Sequence, residues 1–511
     1  MTEATQPFML VRDAETGETV QAHELLMRAA ELASRFVDRF ADPNECVTKN
    51  PSPEYIQQLV SMTVPEKGRS VDAIFNDLEA ILDQSVLTGH TGFANQLFSG
   101  CSPFAVIGEW LTAVLNTSMY TYEVAPILTM MEMELVRAMC EKIGFVEDGV
   151  HGEGTFTPGG SLSNLVAMML ARFNARPGIN RHGLGFGVGK GPRLVAFTSK
   201  DAHYSIERAA ILLGLGLASV RSVNTDSEGR MDPADLQHKI DDAISRDEQP
   251  FFVSATAGTT VLAAYDPINA IADITENHGI WLHVDGAYGG SALMSERQRS
   301  LLDGVHRADS MTWCPHKMMG VPLMCSALLV KRRGQLAACT ALKAEYLFHQ
   351  DDEDACMDLG DMSIQCGRRV DALKLWLAWQ ALGDSGFHDR IDTMFSIAKD
   401  LRSLLRDRPA FRLVRDPDAH STPCVNTVFD YVPVRLRDRL ASEGATKELR
   451  KELSRINVEL RARQKKSGRF FVNYASVDGF NSFRHVAGNP LVTHDMLVNM
   501  LDELEHLGAN L

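Results

Sequence analysis

Three separated segments of the sequence carry residues whose types and order could do chemistry together. The first, TPGGSLSN at 157–164, runs directly into a helical pattern, NLVAMMLARF. Free backbone N–H groups at a helix start bind anions, the glycines allow a close approach, and Ser161 adds a hydroxyl. Gly160 and Ser161 could therefore hold a phosphate group. An ordinary serine-capped helix is the alternative for this segment taken alone.

The other two segments carry a carboxylate and an amine. Asp285, in HVDGAYGG, ends an apolar run and precedes a flexible turn. A carboxylate at the end of a parallel strand lies where α/β proteins bind ligands, although it could equally cap a helix. Lys317, in WCPHKMMG, has strongly apolar neighbours, which favour the neutral amine that forms a Schiff base. The alternative is a lysine that extends its amine to solvent.

Pyridoxal phosphate requires all three features at once: an anion site, a carboxylate that keeps the pyridine nitrogen protonated, and a lysine for the Schiff base. A charge pair at about 4 Å in an effective dielectric near 20 is worth roughly 4 kcal/mol, enough to keep that ring nitrogen charged. His203, in TSKDAHYS after the apolar run PRLVAFTS, would then stack on the ring. The three segments together predict a pyridoxal phosphate site and no metal site.

The elements that must position these residues alternate between strands and helices. From about 150 to 335, short apolar runs such as PFFVSATA and GIWLHVD are separated by helical stretches such as PINAIADITENHG. This alternation predicts an α/β fold with a mostly parallel sheet covered on both faces. We expect a helical N-terminal segment at 1–100 that packs on a partner, a large domain at 101–375 and a small C-terminal α/β domain at 376–511.

Composition excludes several other classes of protein. The chain has 511 residues, a formal net charge of −15 and 45% hydrophobic residues, as in globular proteins. An acidic surplus repels nucleic acid and anionic lipid, so neither is an expected partner. The longest apolar run, 209–220, is too short to span a bilayer and predicts a buried helix. Nine scattered cysteines without a Cys-x-x-Cys pair indicate reduced thiols in a cytoplasmic protein.

Segments along most of the chain resemble one family, the group II pyridoxal phosphate-dependent amino-acid decarboxylases. Within it, the chain is similar to the animal-type acidic amino-acid branch, which contains glutamate, cysteine sulfinate and aspartate decarboxylases. The matching segments are FANQLFSG (93–100), MYTYEVAP (119–126), TPGGSLSN (157–164), DAHYS (201–205), VSATAGTT (253–260), HVDGAYGG (283–290), PHKMMGVPLMCSALLV (315–330), QCGRRVDALKLWLAW (365–379) and FRHVAGNP (483–490). The resemblance implies the fold of type I pyridoxal phosphate enzymes, which is that of aspartate aminotransferase. It also implies a homodimer with active sites at the interface.

The resemblance implies a role for each matching residue. Lys317 corresponds to the Schiff-base lysine, Asp285 to the partner of the pyridine nitrogen and His203 to the ring-stacking histidine. The residues implied to bind the cofactor besides these three are Gly160, Ser161, Thr256, Ala287 and His316. On the substrate side, Arg484 corresponds to an arginine that binds a carboxylate and Gln96 to a residue that contacts substrate. The implied reaction is loss of an α-carboxylate as CO2, followed by protonation of Cα to give an amine.

The sequence departs from the family's pattern in three places. Cys314 replaces an asparagine before Pro-His-Lys that helps to hold the phosphate, which predicts weaker cofactor retention. Gly286 and Tyr288 replace an alanine and a tryptophan. Between Phe348 and Gly360 the chain lacks the loop tyrosine that protonates Cα in the family. His349 could replace this tyrosine; otherwise decarboxylation-dependent transamination or oxidation to an aldehyde becomes an alternative reaction.

The resemblance places Phe98 where glutamate decarboxylases have a smaller polar residue. The larger ring of Phe98 would shorten the substrate pocket. We therefore expect a short acidic substrate, aspartate or cysteine sulfinate, with glutamate as the next candidate. Two other classes stay open at this point. An aminotransferase of the same fold would use the same lysine and aspartate, and a low-activity homologue could serve a regulatory role.

Overall fold

The computed structural model describes residues 10–184, 191–342, 357–420 and 422–511. The α-helices are α1 (Ala22–Asp38), α2 (Pro53–Leu59), α3 (Val71–Gln84), α4 (Pro103–Leu115), α5 (Pro126–Ile143), α6 (Gly160–Ala175), α7 (Ile179–His182), α8 (Ser205–Leu212), α9 (Pro233–Ser245), α10 (Ile268–His278), α11 (Gln335–Thr340), α12 (Asp371–Arg406), α13 (Val434–Glu443), α14 (Lys447–Ser467) and α15 (His494–Gly508). The strands are β1 (Leu10–Arg12), β2 (Thr19–Gln21), β3 (Phe93–Ala94), β4 (Val146–Glu147), β5 (Val150–His151), β6 (Glu153–Thr157), β7 (Arg193–Ser199), β8 (Val220–Val223), β9 (Glu248–Thr256), β10 (Trp281–Gly286), β11 (Ser310–Trp313), β12 (Ser326–Val330), β13 (Phe411–Leu413), β14 (Asn426–Tyr431), β15 (Phe471–Val477) and β16 (Phe480–Val486).

The large sheet has seven strands within these ranges, in the order β6-β12-β11-β10-β9-β7-β8. The strands from β8 to β11 pair in parallel, and β12 is antiparallel to both of its neighbours. All six residues of β10 are buried, as expected for a strand covered on both faces. The predicted mostly parallel α/β sheet is thus confirmed, and the carboxyl ends of β7, β9, β10 and β11 meet at one edge.

The small sheet has the order β13-β14-β16-β15-β3. Its pairs are antiparallel except the last, in which Phe93 of β3 lies opposite Phe471 of β15. A segment from the first hundred residues therefore completes a sheet whose other strands follow residue 410. The domain boundaries at 100 and 375 stay predictions.

Helix α12 connects the two sheets and is broken at Gly383, whose φ of 62° and ψ of −177° are not helical. Its first part packs against α4, where a Cβ on Gly108 would lie 2.6 Å from the Cα of Lys374. The two helices can approach this closely only because Gly108 has no side chain.

The apolar run at 209–220 is not one helix, so this prediction is wrong. Helix α8 ends at Leu212, and β8 begins at Val220. Gly214 and Gly216 lie between them with positive φ values of 74° and 79°, a conformation that ends helices. In the described residues no helix is both long and apolar enough to cross a membrane. The cysteines of the same residues are free thiols.

Candidate active site

A cavity of about 260 Å³ opens at the edge where the carboxyl ends of the parallel strands meet. All eight residues predicted to bind the cofactor line it: Gly160, Ser161, His203, Thr256, Asp285, Ala287, His316 and Lys317. They come from five separate segments of the chain. The structure therefore brings the predicted anion site, carboxylate and amine to one place.

The anion site is the first turn of α6. Gly159 precedes this helix with a φ of 103°, and the helix begins at Gly160. A Cβ on Gly160 would lie 3.1 Å from Cys314 Sγ and 3.2 Å from the Cβ of Ala287, so this wall is tight for any residue larger than glycine. The hydroxyl of Thr256, which also lines the cavity, is buried without a hydrogen-bond partner. Free N–H groups, a glycine wall and an unused hydroxyl fit a phosphate group.

Asp285 is held by two hydrogen bonds at the end of β10. The amide of Asn164 donates to Asp285 Oδ2 at 2.7 Å, and the backbone N–H of Ala287 donates to Oδ1 at 3.1 Å. Each carboxylate oxygen is thereby held in place by one donor. The side chain is 5% exposed and faces the cavity, which suits it to a protonated ring nitrogen.

Asn164 anchors this carboxylate to three other elements. Its amide also donates to Ser205 Oγ at 2.8 Å, and its Oδ1 accepts from Thr312 Oγ1 at 2.7 Å and contacts His283 Nε2 at 3.0 Å. The network joins α6, α8, β10 and β11. Because every member is buried, it fixes both the position and the orientation of Asp285.

Lys317 lies in the turn that follows β11. Its N–H donates to the carbonyl of Cys314 at 3.1 Å, and its carbonyl accepts from Gly320 N–H at 3.2 Å. The neighbouring His316 is locked by the Cys325 N–H, which donates to Nδ1 at 3.1 Å. Burial lowers the pKa of His316 to about 4, and the charge of Lys317 acts in the same direction.

His203 lies after β7, with its ring centroid 4.3 Å from that of Tyr204. Burial lowers the pKa of His203; Asp285 opposes this effect, and Lys317 and Arg208 add to it. A neutral imidazole is therefore favoured at this wall of the cavity. A flat, neutral ring is suited to stacking against the face of a bound aromatic group.

The three residues predicted to contact substrate lie beside the cavity and are not among its lining residues. Arg484 of β16 donates to the carbonyl of Thr260 at 3.2 Å and to that of Asn95 at 2.6 Å, while its Nε is buried without a partner. Burial lowers the pKa of Arg484. Gln96 donates to Asn95 Oδ1 at 2.7 Å, and the ring of Phe98 lies 6.2 Å from that of Phe93.

Other lining residues were not singled out as site residues from the sequence. Leu97, between Gln96 and Phe98, reaches the cavity, and so do Tyr204, Thr260, Tyr288 and Met324. Asn164 had a usable signal, because it is the polar residue that ends TPGGSLSN, just before the apolar part of α6. The others also lie in segments that carry the family resemblance, and Tyr288 was noted there as a departure from it. His349 and most of the segment between Phe348 and Gly360 lie outside the described residues.

The fold and this cavity together define a pyridoxal phosphate-dependent enzyme of fold type I. Residues 53–431 match the pyridoxal-dependent decarboxylase conserved domain. The chain belongs to this family and is a pyridoxal phosphate-dependent amino-acid decarboxylase.

Relatives with similar sequences match nearly the whole chain. Human cysteine sulfinic acid decarboxylase is 42% identical over 496 residues, covering 96% of this chain and 97% of that protein. A mouse acidic amino acid decarboxylase is 39% identical, covering 98% and 88% respectively. The crystal structure of mouse CSAD superposes with a TM-score of 0.88 at 40% identity, covering 96% of this chain and 99% of that chain.

Proposed function

We propose that this chain removes the α-carboxyl group of a short acidic L-amino acid as CO2 and leaves the amine. Aspartate and cysteine sulfinate are the favoured substrates, which would give β-alanine and hypotaurine, and glutamate, which would give GABA, is the next candidate. The observation that carries the proposal is the single cavity that combines Lys317, Asp285 and the start of α6. The names of the relatives, a cysteine sulfinic acid decarboxylase and an acidic amino acid decarboxylase, support an acidic substrate.

Different residues of the cavity would hold different parts of the cofactor. Gly160, Ser161 and Thr256 would hold the phosphate, and His203, Ala287 and His316 would enclose the ring. When bound, pyridoxal phosphate withdraws the electron pair that the departing carboxyl group leaves behind.

Two side chains, Asp285 and Lys317, would act directly on the bound cofactor. Asp285, fixed by Asn164, would hold a proton on the ring nitrogen and so preserve the electron-withdrawing character of the ring. Lys317 would supply the amine to which the cofactor attaches. Both side chains face the same 260 Å³ cavity, which brings amine and carboxylate to one bound ring.

The substrate side of the proposal depends on Arg484. Its guanidinium is buried, and its two hydrogen-bond partners are neutral carbonyls. A buried cation with an unpaired Nε favours an anion, and a substrate carboxylate is such a group. Phe98 and Gln96 flank Leu97 at the rim, where Phe98 would limit the length of the substrate.

We also propose that the chain forms a homodimer. Helix α4 turns a row of large apolar side chains to the surface: Phe104, Ile107, Trp110, Leu111, Val114 and Leu115. Each is at least 46% exposed, and an apolar patch of this size is typical of a protein interface. A second copy of the chain would bury it.

The proposed reaction is tested by CO2 release from the enzyme loaded with pyridoxal phosphate. The substrates compared are aspartate, glutamate, cysteine sulfinate, cysteate and phosphonoalanine. We expect release from aspartate or cysteine sulfinate to exceed release from glutamate, with one amine formed per CO2. Aldehyde, ammonia and peroxide in place of the amine would contradict the proposed product. Lys317→Ala should abolish turnover, and substantial activity in this variant would contradict the assignment of the lysine.

A further inference from the structure

Tyr288 is a buried tyrosine at the junction of the two sheets. It follows β10, lines the cavity and is 2% exposed. Its hydroxyl donates to Asn426 Oδ1 of β14 at 3.0 Å. The hydroxyl remains protonated because burial raises the pKa of Tyr288 well above its ordinary value. Tyr288 is therefore a permanent hydrogen-bond donor from the large sheet to the small sheet.

Asn426 has only one orientation compatible with its neighbours. Its amide nitrogen donates to the carbonyls of Thr260 at 3.2 Å and Val261 at 3.1 Å. Two carbonyls require the NH2 group, so the Oδ1 atom must face the tyrosine. Without the tyrosine hydroxyl, this buried oxygen would lose its donor, and the amide could turn away from the two carbonyls.

The Thr260 carbonyl is the point where this chain of hydrogen bonds reaches Arg484. The same oxygen accepts from Arg484 Nη1 at 3.2 Å and from Asn426. Arg484 is 7% exposed and Asn426 is 3% exposed, so water cannot readily replace either contact. Thr260 lies in the turn after β9, which backbone hydrogen bonds from Gly258 and Thr259 to the Ala264 carbonyl hold in place. Its carbonyl is therefore a fixed acceptor that Asn426 and Arg484 share.

We propose that Tyr288 is a positioning residue that, through Asn426 and the Thr260 carbonyl, fixes Arg484 to receive the substrate carboxylate. The proposal rests on the function proposed above for Arg484. It does not require Tyr288 to contact the substrate or the cofactor. It also gives a role to Tyr288, which stands where the resemblance to the family places a tryptophan.

The test is a double-mutant cycle of Tyr288→Phe and Arg484→Gln in the holoenzyme. The probe is succinate, a dicarboxylate that lacks the reacting amine, and its dissociation constant is measured by calorimetry. Phenylalanine keeps the ring and removes only the hydroxyl. We expect Tyr288→Phe to weaken succinate binding by about five-fold in the wild-type background and by less than about two-fold in the Arg484→Gln background.

Steady-state kinetics supply a second readout. The KM for the acidic substrate should rise in Tyr288→Phe by the same factor as the dissociation constant, while kcat changes by less than about two-fold. Tyr265→Phe is the matched control, because Tyr265 is also buried and its hydroxyl contacts only the Gly289 carbonyl, at 3.4 Å, among the described residues. Its succinate affinity should equal that of the wild type.

Two results would overturn the inference. One is unchanged succinate affinity and KM in Tyr288→Phe, and the other is an equal loss in both backgrounds, which would show that the hydroxyl acts independently of Arg484. If Arg484→Gln does not fold, Arg484→Lys replaces it in the cycle. If the cycle shows the coupling in succinate binding but the wild-type protein releases no CO2, the proposed reaction is refuted and the role of Tyr288 is retained.

Discussion

Asn164 determines how Asp285 is presented, although it would make no chemical contribution of its own. It gives the carboxylate one of its two hydrogen bonds and connects it to His283 and Thr312. Its position near the start of α6 also ties the carboxylate to the anion site. One asparagine thus connects the helix of the anion site directly to Asp285.

Asn164→Ala should weaken pyridoxal phosphate binding by about ten-fold or more, because Asp285 loses a charge-assisted hydrogen bond worth about 1.5–3 kcal/mol. The measurement is the cofactor dissociation constant from absorbance or fluorescence titration. Asn174→Ala is the control on the same helix, since Asn174 donates only to the Leu170 carbonyl, at 3.0 Å, in the described part of the chain. Equal affinities in the two variants would contradict the role of Asn164.

His485, next to Arg484 on β16, should make stability depend on pH. Burial lowers the pKa of His485 to about 4, from 6.5, and its Nδ1 has no hydrogen-bond partner. In this pH range the unfolded chain binds a proton at His485 that the folded chain does not bind. The free energy of unfolding therefore decreases as the pH falls from 6.5 towards 4. Above pH 6.5 His485 does not contribute to the pH dependence of the free energy of unfolding.

Between about pH 7 and about pH 5, His485→Leu should lose about 2 kcal/mol less unfolding free energy than the wild type, since one titrating group is removed. Urea unfolding of both proteins at the two pH values measures this difference. His182→Leu, at an exposed position on α7, is the control and should behave as the wild type. Parallel losses in wild type and His485→Leu would show that His485 does not titrate as expected.

At the scale of elements, the start of α6 combines the anion site with a closely packed wall of the cavity. Gly160→Ala should weaken cofactor binding by at least about ten-fold, because its Cβ would lie 3.1 Å from Cys314 Sγ and would displace the first turn of the helix. The measurement is retention of pyridoxal phosphate during dialysis. Gly367→Ala is the control, because a Cβ there would meet nothing within 4 Å. A Gly160→Ala enzyme that retains its cofactor as the wild type does would contradict this account.

The elements that could be predicted from the sequence were those with a local signal. The apolar runs predicted the parallel strands, and turns with glycine or proline placed Asp285 and Lys317 at their ends. The contacts of Asn164 join residues 41 to 148 positions apart, and no local pattern encodes such a distance. Strand β3 is only two residues long and exists because β15 pairs with it, so its prediction required the tertiary structure.

At the scale of the whole molecule, the apolar surface of α4 predicts the assembly state. The wild-type protein should elute with twice the 56.4 kDa mass of the chain in size-exclusion chromatography with light scattering. Val114→Glu should shift it towards the monomer, because a charge buried in an apolar interface is strongly disfavoured. Val434→Glu, at another exposed apolar position on α13, should leave the mass unchanged. A monomeric wild type would refute the homodimer.

The net charge of −15 does not indicate which ligands the site binds. An acidic surface does not attract a phosphate cofactor or an acidic substrate over long distances. The attraction must come from local groups: the start of α6, Lys317 and Arg484. Overall charge is therefore a poor guide to the substrate.

The hydrogen bond between Arg484 and the Asn95 carbonyl joins residues 389 positions apart, and β3 pairs with a strand that begins at Phe471. On the ribosome, most of the chain must therefore emerge before the segment around Asn95 finds its partners. A nascent chain that stops short of β16 has the lysine and the phosphate cradle but lacks the arginine. Under the role proposed for Arg484, the chain can bind substrate only when its synthesis is nearly complete. Until then the unpaired edge of the small sheet is exposed to chaperones and to aggregation.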